Sequence, residues 1–432
     1  MAGHPWVRRG YSAALLALAP LIWRRVWRER LPGHPRGERL GRIPPSPAGA
    51  RTLWLHCASV GEVQAARPLI EALARAYPAH RLVLTTMTAT GAERAAAIAE
   101  RLLGEAEAAE VSHHFVPLDF AGAARRFLRR LRPELAIVFE TELWPNLLAA
   151  CAARGVPVAV VNGRLSPRAF RGYRRLGPLM AEALSHVRWL GAKSEADAER
   201  FRALGMAPAA IEITGSLKFD IGVDPAAREA SERLRAALGG RPVWVAGSTH
   251  EGEDEAVLAA HARLRETHPA ALLILVPRHP RRFEAVAELC RESGMATVRR
   301  SAGERPQAGT AVYLGDTMGE LGVLYGAADL AFVGGSLVPV GGHNLLEPAA
   351  LGVPVLTGPA LANFADVAEA LRERQALVEV AEADALAAAL ARLVDDADER
   401  RRLAAAGRAV VEANRGALAR TLEGLDRLLP AG

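Results

Sequence analysis

The stretch Gly334-Gly335-Ser336-Leu337-Val338-Pro339-Val340-Gly341-Gly342-His343-Asn344-Leu345-Leu346-Glu347-Pro348 decides the reading of this chain. The apolar run Leu330 to Val333 leads into it, and a helical pattern from about Asn344 to Leu351 leads out. That order is strand, glycine-rich loop, helix start. A helix start offers unpaired N–H groups and the positive end of a dipole, which suits an anion such as phosphate. Glycines let a backbone approach that anion closely. Glu347 falls about one turn inside the predicted helix, where a carboxylate can accept hydrogen bonds from ribose hydroxyls. An ordinary glycine-rich strand-to-helix turn is the competing reading.

The same alternation runs outward in both directions. Upstream, apolar runs at Leu53–His56, Leu82–Thr86, Leu135–Phe139, Val156–Val161 and Trp189–Ala192 read as strands. Helical patterns at Val63–Tyr77 and Ala92–Leu103 separate the first of them. A second series covers Val243–Ala246, Ala271–Val276, Ala311–Leu314, Leu330–Val333 and Val353–Leu356. Strand-helix alternation of this kind predicts parallel, doubly wound α/β sheets. Two such domains are expected, at 51–217 and 226–432, with 218–225 as a hinge. Facing each other, they would form a cleft lined by the loops at the strands' carboxyl ends. A final helical stretch from Ala385 to Leu429 is expected to cross back to the first domain.

Composition narrows the class. The 432 residues suffice for two or three domains, and half are apolar. There are only two lysines, Lys193 and Lys218. Cys57, Cys151 and Cys290 are odd in number and far apart, so they suggest neither a disulfide framework nor a metal site. Residues 1–51 hold ten Arg against two Glu, whereas the rest of the chain carries 44 basic against 46 acidic residues. The basicity therefore belongs to the amino-terminal tail, which argues against a nucleic-acid-binding body and for a tail that meets an anionic surface.

Within that tail, Tyr11 to Trp23 is a thirteen-residue apolar stretch, too short to span a bilayer comfortably. Arg8 and Arg9 precede it, and Arg24, Arg25, Arg28 and Arg30 follow. Trp6, Trp23 and Trp27 mark its ends, as tryptophan does at membrane interfaces. A shallow anchor on the cytoplasmic leaflet fits best, ahead of a short span or a cleaved signal peptide. Arg36 to Gly49 reads as a linker.

Several residues suit chemistry, and each has a plainer explanation. Glu62 follows the first strand where a helix begins; it is a candidate base or a helix-start acid favoured by the dipole. Glu140 and Glu142 end the third strand and would share a face there. Lys218 stands beside Phe219 in the hinge, able to stabilise negative charge or to pair with Asp220. Arg278 follows a strand and suits phosphate or carboxylate. Arg164, Arg168, Arg171, Arg174 and Arg175 form a basic cluster, either a phosphate-binding or a solvated face. The cleft segments hold no clear Asp-x-Asp pattern, no His/Cys cluster invites a metal, and no cofactor is expected.

The loop resembles the nucleotide-binding loop of bacterial 3-deoxy-D-manno-octulosonic acid (Kdo) transferases, glycosyltransferases of the GT-B type. So do Ala58-Ser59-Val60-Gly61-Glu62, Thr85-Thr86-Met87-Thr88, Glu140-Thr141-Glu142-Leu143-Trp144-Pro145-Asn146 and Gly215-Ser216-Leu217-Lys218-Phe219-Asp220. Gly247-Ser248-Thr249-His250-Glu251-Gly252-Glu253, Val276-Pro277-Arg278-His279-Pro280 and Gly315-Asp316-Thr317-Met318-Gly319-Glu320 complete the series, in the family's order. The resemblance implies transfer of Kdo from CMP-Kdo to a lipid A precursor by an inverting displacement at the inner membrane. It implies Glu62 as proton acceptor and Glu140 and Lys218 as transition-state stabilisers. It places CMP on Pro277, Arg278, Met318, Gly319, Glu320, Asn344, Leu345, Leu346 and Glu347. A lipid A disaccharide synthase or a sugar-nucleotide epimerase would share the fold and the loop.

Overall fold

The computed structural model describes residues 5–28, 33–103, 108–222 and 224–429. Arg30 of the predicted basic flank and Val223 of the predicted hinge lie outside these residues, as do the side chains of Arg25 and Trp27. The chain divides into two compact units. One runs to Asp220 and takes the chain back from Arg415 onward; the other is Ile221–Asn414.

Among the described residues the first unit holds seven strands: β1 (Arg51–His56), β2 (His80–Thr86), β3 (Glu110–Phe115), β4 (Leu135–Phe139), β5 (Val158–Gly163), β6 (Trp189–Ala192) and β7 (Ile211–Ile213). They form one parallel sheet in the order β3-β2-β1-β4-β5-β6-β7. Core clusters lie on both faces of the sheet, so its central strand, β4, is apolar throughout. All five residues of β4 are buried. The second unit repeats the design with β8 (Val243–Thr249), β9 (Leu272–Pro277), β10 (Thr297–Arg299), β11 (Val312–Leu314), β12 (Leu330–Val333), β13 (Val355–Thr357) and β14 (Leu377–Glu379). Their parallel order is β10-β11-β9-β8-β12-β13-β14.

In each sheet the strand order reverses direction beside the unit's first strand, and in the second sheet it reverses again near the edge, where β11 lies between β9 and β10. The switch points lie between β1 and β4 and between β8 and β12. Chains leaving adjacent strands there diverge to opposite faces and leave a crevice at the carboxyl ends, where open α/β sheets bind ligands. The helix start after β1 carries Glu62, the loop after β4 carries Glu140 and Glu142, and the loops after β8 and β12 carry His250, Glu253 and Gly334 to Asn344.

Four strands escaped the apolar-run reading: β3, β7, β10 and β14. Each lies at or near a sheet edge, is only partly buried, and mixes polar with apolar residues. The expected single stretch Ala385–Leu429 is three helices, Ala383–Asp395, Ala397–Ala413 and Ala417–Asp426. Asp396 breaks it by capping the Glu399 N–H, and Gly416 breaks it with φ +88°. The last of the three lays Gly424 flat on Trp189, where a Cβ would fall 2.2 Å from the indole.

The amino-terminal helix, Pro5–Arg28, is longer than the apolar stretch that announced it. Its first turns are bound to the first unit. Arg8 Nε donates to Glu182 at 3.0 Å, Ser12 Oγ donates to Asn146 at 2.9 Å, and Tyr11 bonds Asp119. Trp6, Leu16, Leu18 and Leu21 are exposed. No helix among the described residues is long and apolar enough to cross a membrane.

Candidate active site

Ser59 caps the helix Val60–Ala76, and Glu62 occupies its first turn. The two form a reciprocal capping box. The Glu62 N–H donates to Ser59 Oγ at 3.3 Å, and that hydroxyl donates to Glu62 Oε1 at 3.0 Å. The Ala58 N–H donates to Glu62 Oε2 at 2.8 Å. Glu62 thus has the ordinary helix-start role, and these bonds favour its charged form. Burial nevertheless pushes its pKa up to about 7, helped by the charges of Glu142 and Glu140. A carboxylate poised there can take a proton near neutral pH.

Glu142 stays ionised although burial opposes it. His56 and the Trp144 indole hold its pKa below the usual range. The Trp144 N–H donates to Glu142 Oε2 at 2.9 Å, and His56 Nε2 stands 3.9 Å from the same oxygen. Glu140 leaves β4 in the left-handed region, with φ +58°. Asn162, at the end of the adjacent β5, does the same with φ +52°. Two such non-glycine residues at neighbouring strand ends mark a built, strained rim. Asn162 Oδ1 accepts the Leu217 N–H at 3.1 Å, fixing the turn Leu217–Phe219 that carries Lys218. That turn packs on the helix begun at Val60. The Asp220 carboxylate accepts the N–H groups of Gly416 and Leu418.

The loop of the second unit departs from its reading in one important respect. The N–H groups of Gly335, Ser336 and Leu337 do not await a phosphate. They donate to the fully buried carboxylate of Glu253, at 2.6, 2.9 and 2.8 Å, and the His250 N–H joins them at 2.9 Å. Gly334 is required by protein packing, since a Cβ there would lie 2.7 Å from the Ser248 carbonyl. Gly335 has φ +68°, and a Cβ would lie 2.8 Å from the His343 ring. The helix that follows is only Leu346–Leu351, ended by Gly352 in the left-handed region. It starts two residues later than expected because Asn344 Oδ1 accepts the Leu346 N–H and caps it from outside.

Around the loop, several expected donor residues converge. The charge of Arg278, on the loop after β9, bears on both His343 and Glu347. Burial pushes the Glu347 carboxyl up, while Asn344 and Arg278 pull it down. Asn344 Nδ2 donates to Glu347 Oε1 at 3.1 Å. His343 Nε2 lies 2.8 Å from His250 Nε2, the rings stacked. Leu345 and Leu346 are fully buried, so only their backbone can meet a ligand. Pro277 ends β9 and is buried with it. Met318 is exposed and Gly319 has φ +82°. The Glu320 carboxylate is bound by Arg300, at 2.8 and 2.6 Å, and by Thr317, which keeps its pKa low. His250, Glu253 and Asn162 were not singled out from the sequence; the motifs containing His250 and Glu253 were visible, but not their partners. Among the described residues, no group of three or more His, Cys, Asp or Glu is placed to hold a metal ion.

Two parallel doubly wound units, each with charged side chains beside its switch point, make a GT-B fold. A UDP-GlcNAc 2-epimerase from Neisseria meningitidis, solved bound to UDP-GlcNAc, shares this fold with a TM-score of 0.56 at 14% identity, covering 87% of this chain and all of that one. A family model for group 1 glycosyl transferases matches residues 250–410, and the 3-deoxy-D-manno-octulosonic-acid transferase model matches residues 34–221. The 3-deoxy-D-manno-octulosonic acid transferase of Haemophilus influenzae is 41% identical over 88% of this chain and 87% of its own. That of Bordetella pertussis is 41% identical over 96% of this chain and 98% of its own. The chain belongs to the Kdo transferase family and is a glycosyltransferase.

Proposed function

We propose that the enzyme transfers Kdo from CMP-Kdo to a lipid A precursor by a single inverting displacement, with Glu62 as the general base. The observation that carries this reading is the Glu62 carboxylate. It is anchored by Ala58 and Ser59, yet lifted to about 7 by burial and by two neighbouring acids. A helix-capping acid alone has no need of Glu140 and Glu142 beside it.

In this reading Glu62 removes the proton from an acceptor hydroxyl while that oxygen attacks the anomeric carbon of Kdo. The bond from that carbon to the CMP phosphate breaks, and CMP leaves with the electron pair. Glu140 stabilises the positive charge that develops at the sugar, and Lys218 the negative charge. Arg278, Asn344 and Glu347 hold the nucleotide, joined by Pro277, the backbone of Leu345 and Leu346, and Met318-Gly319-Glu320. The leaving group carries one phosphate, so Arg278 and Lys218 suffice in place of a metal. Arg164, Arg168, Arg171, Arg174 and Arg175 are all exposed and offer a surface for an anionic lipid. The exposed apolar side of the amino-terminal helix would rest in the cytoplasmic leaflet of the inner membrane.

The deciding experiment mixes the protein with CMP-Kdo, generated in place, and tetra-acylated lipid A precursor in detergent with EDTA, read by mass spectrometry. A gain of one or more Kdo units supports donor, acceptor and metal independence together. Gain only with added magnesium removes the last claim. No gain with folded protein rejects this acceptor or donor.

A further inference from the structure

Glu253 and Asp254 are adjacent in sequence, sit at the start of the helix Asp254–Thr267, and are both fully buried. Neither faces solvent, and burying two carboxylates side by side is costly unless both are satisfied. They are satisfied by different loops. Glu253 accepts four backbone N–H groups, three of them from Gly335, Ser336 and Leu337 in the glycine-rich loop. Asp254 accepts the Thr249 hydroxyl at 2.6 Å and the Arg282 guanidinium at 2.5 Å. Arg282 belongs to the segment Arg278–Arg282, whose first N–H bonds the Thr249 carbonyl at 3.0 Å. One helix start therefore grips both the loop after β12 and the loop after β9.

We propose that Glu253 and Asp254 are positioning residues of the donor site, a two-armed clamp that sets His343 and Arg278 in register. Glu253 acts as a built-in anion filling the backbone nest that a phosphate would otherwise occupy. The donor phosphate is consequently met by Arg278 and the His343 side of the loop, not by the N–H groups of Gly335 to Leu337. This inference rests on the assignment of these loops to the nucleotide sugar.

The test uses the full-length protein with CMP as probe. Glu253→Gln keeps the shape but turns an amide N–H₂ toward N–H donors. Asp254→Asn weakens the hold on Arg282. Each should raise the Kd for CMP and the KM for CMP-Kdo by on the order of 10–100-fold, about what losing one well-placed hydrogen bond to a charged group costs, and leave the acceptor KM unchanged. Wild-type CMP affinity in either folded variant overturns the clamp. Arg278→Ala serves as the control: if it too binds CMP normally, the donor-site assignment has failed, and if it alone loses CMP, only the clamp has. Should the variants not fold, hydrogen exchange of wild-type segment 335–337 without nucleotide decides. Slow exchange that CMP leaves unchanged fits a filled nest, and fast exchange that CMP slows overturns it.

Discussion

His261 Nδ1 accepts the Trp244 indole N–H at 3.0 Å in the core of the second unit. Indole nitrogen only donates, so that ring nitrogen carries no proton. His261 Nε2 lies 2.9 Å from the Ala311 carbonyl and must donate to it. The pair therefore fixes one neutral tautomer in a fully buried site.

Burial holds the His261 pKa down to about 4, against 6.5 when exposed. Between those values the unfolded chain binds a proton that the folded chain refuses. Stability is thus complete above about pH 6.5 and falls with decreasing pH until about 4, by about 3 kcal/mol at most. His261→Gln supplies one acceptor and one donor without titrating. Urea unfolding of the variant at several pH values should show a shallower loss over this window than the parent.

Transfer should depend on pH through Glu62. A base with a pKa of about 7 is protonated and idle below it, so kcat/KM should rise with pH through neutrality and then level. Glu142→Gln removes a neighbouring negative charge, which lowers the Glu62 pKa and moves the rising limb to lower pH. Glu62→Gln should cost roughly 10²–10⁴-fold in kcat while CMP affinity stays near the parent's. Lost CMP binding in that variant would remove Glu62 from the acceptor side.

Gly334 has no room for a methyl group. A Cβ would meet the Ser248 oxygen at 2.7 Å and the Thr249 Cα at 2.8 Å, both backbone atoms. Gly334→Ala must push β8 and the loop after β12 apart, at a cost of about 1–3 kcal/mol. A lowered melting temperature together with weaker CMP binding in calorimetry is the expected result. An unchanged melting temperature would mean the loop yields freely.

The proposed membrane attachment is separable from docking along the amino-terminal helix. Arg8, Tyr11 and Ser12 tie it to Glu182, Asp119 and Asn146, whereas Leu16, Leu18 and Leu21 are exposed. Deleting the helix would strip partners from buried polar groups, so point variants are the cleaner probe. Leu16→Ser, Leu18→Ser and Leu21→Ser combined should reduce sedimentation with anionic vesicles and leave CMP binding intact. Undiminished sedimentation would shift attention to Arg164 and the arginines from 168 to 175.

What the sequence determined by itself was local. Apolar runs such as Leu135–Phe139 announced buried parallel strands because a strand covered on both faces needs no polar residue. Glu62 was legible as a helix-start acid because a carboxylate in the first turn suits the dipole. The family likeness implied candidate donor residues in order along the chain. Which groups meet was decided only in three dimensions. Glu62 owes its raised pKa first to burial and then to the charges of Glu142 and Glu140, about eighty residues away, because the sheet sets β1 beside β4. The glycine-rich loop was read as an open anion site, yet Glu253 fills it, because β8 lies beside β12. A backbone N–H is satisfied equally by a ligand's phosphate or by the protein's own carboxylate. Chain periodicity carries no record of which one arrives, since that depends on strand order in the folded sheet.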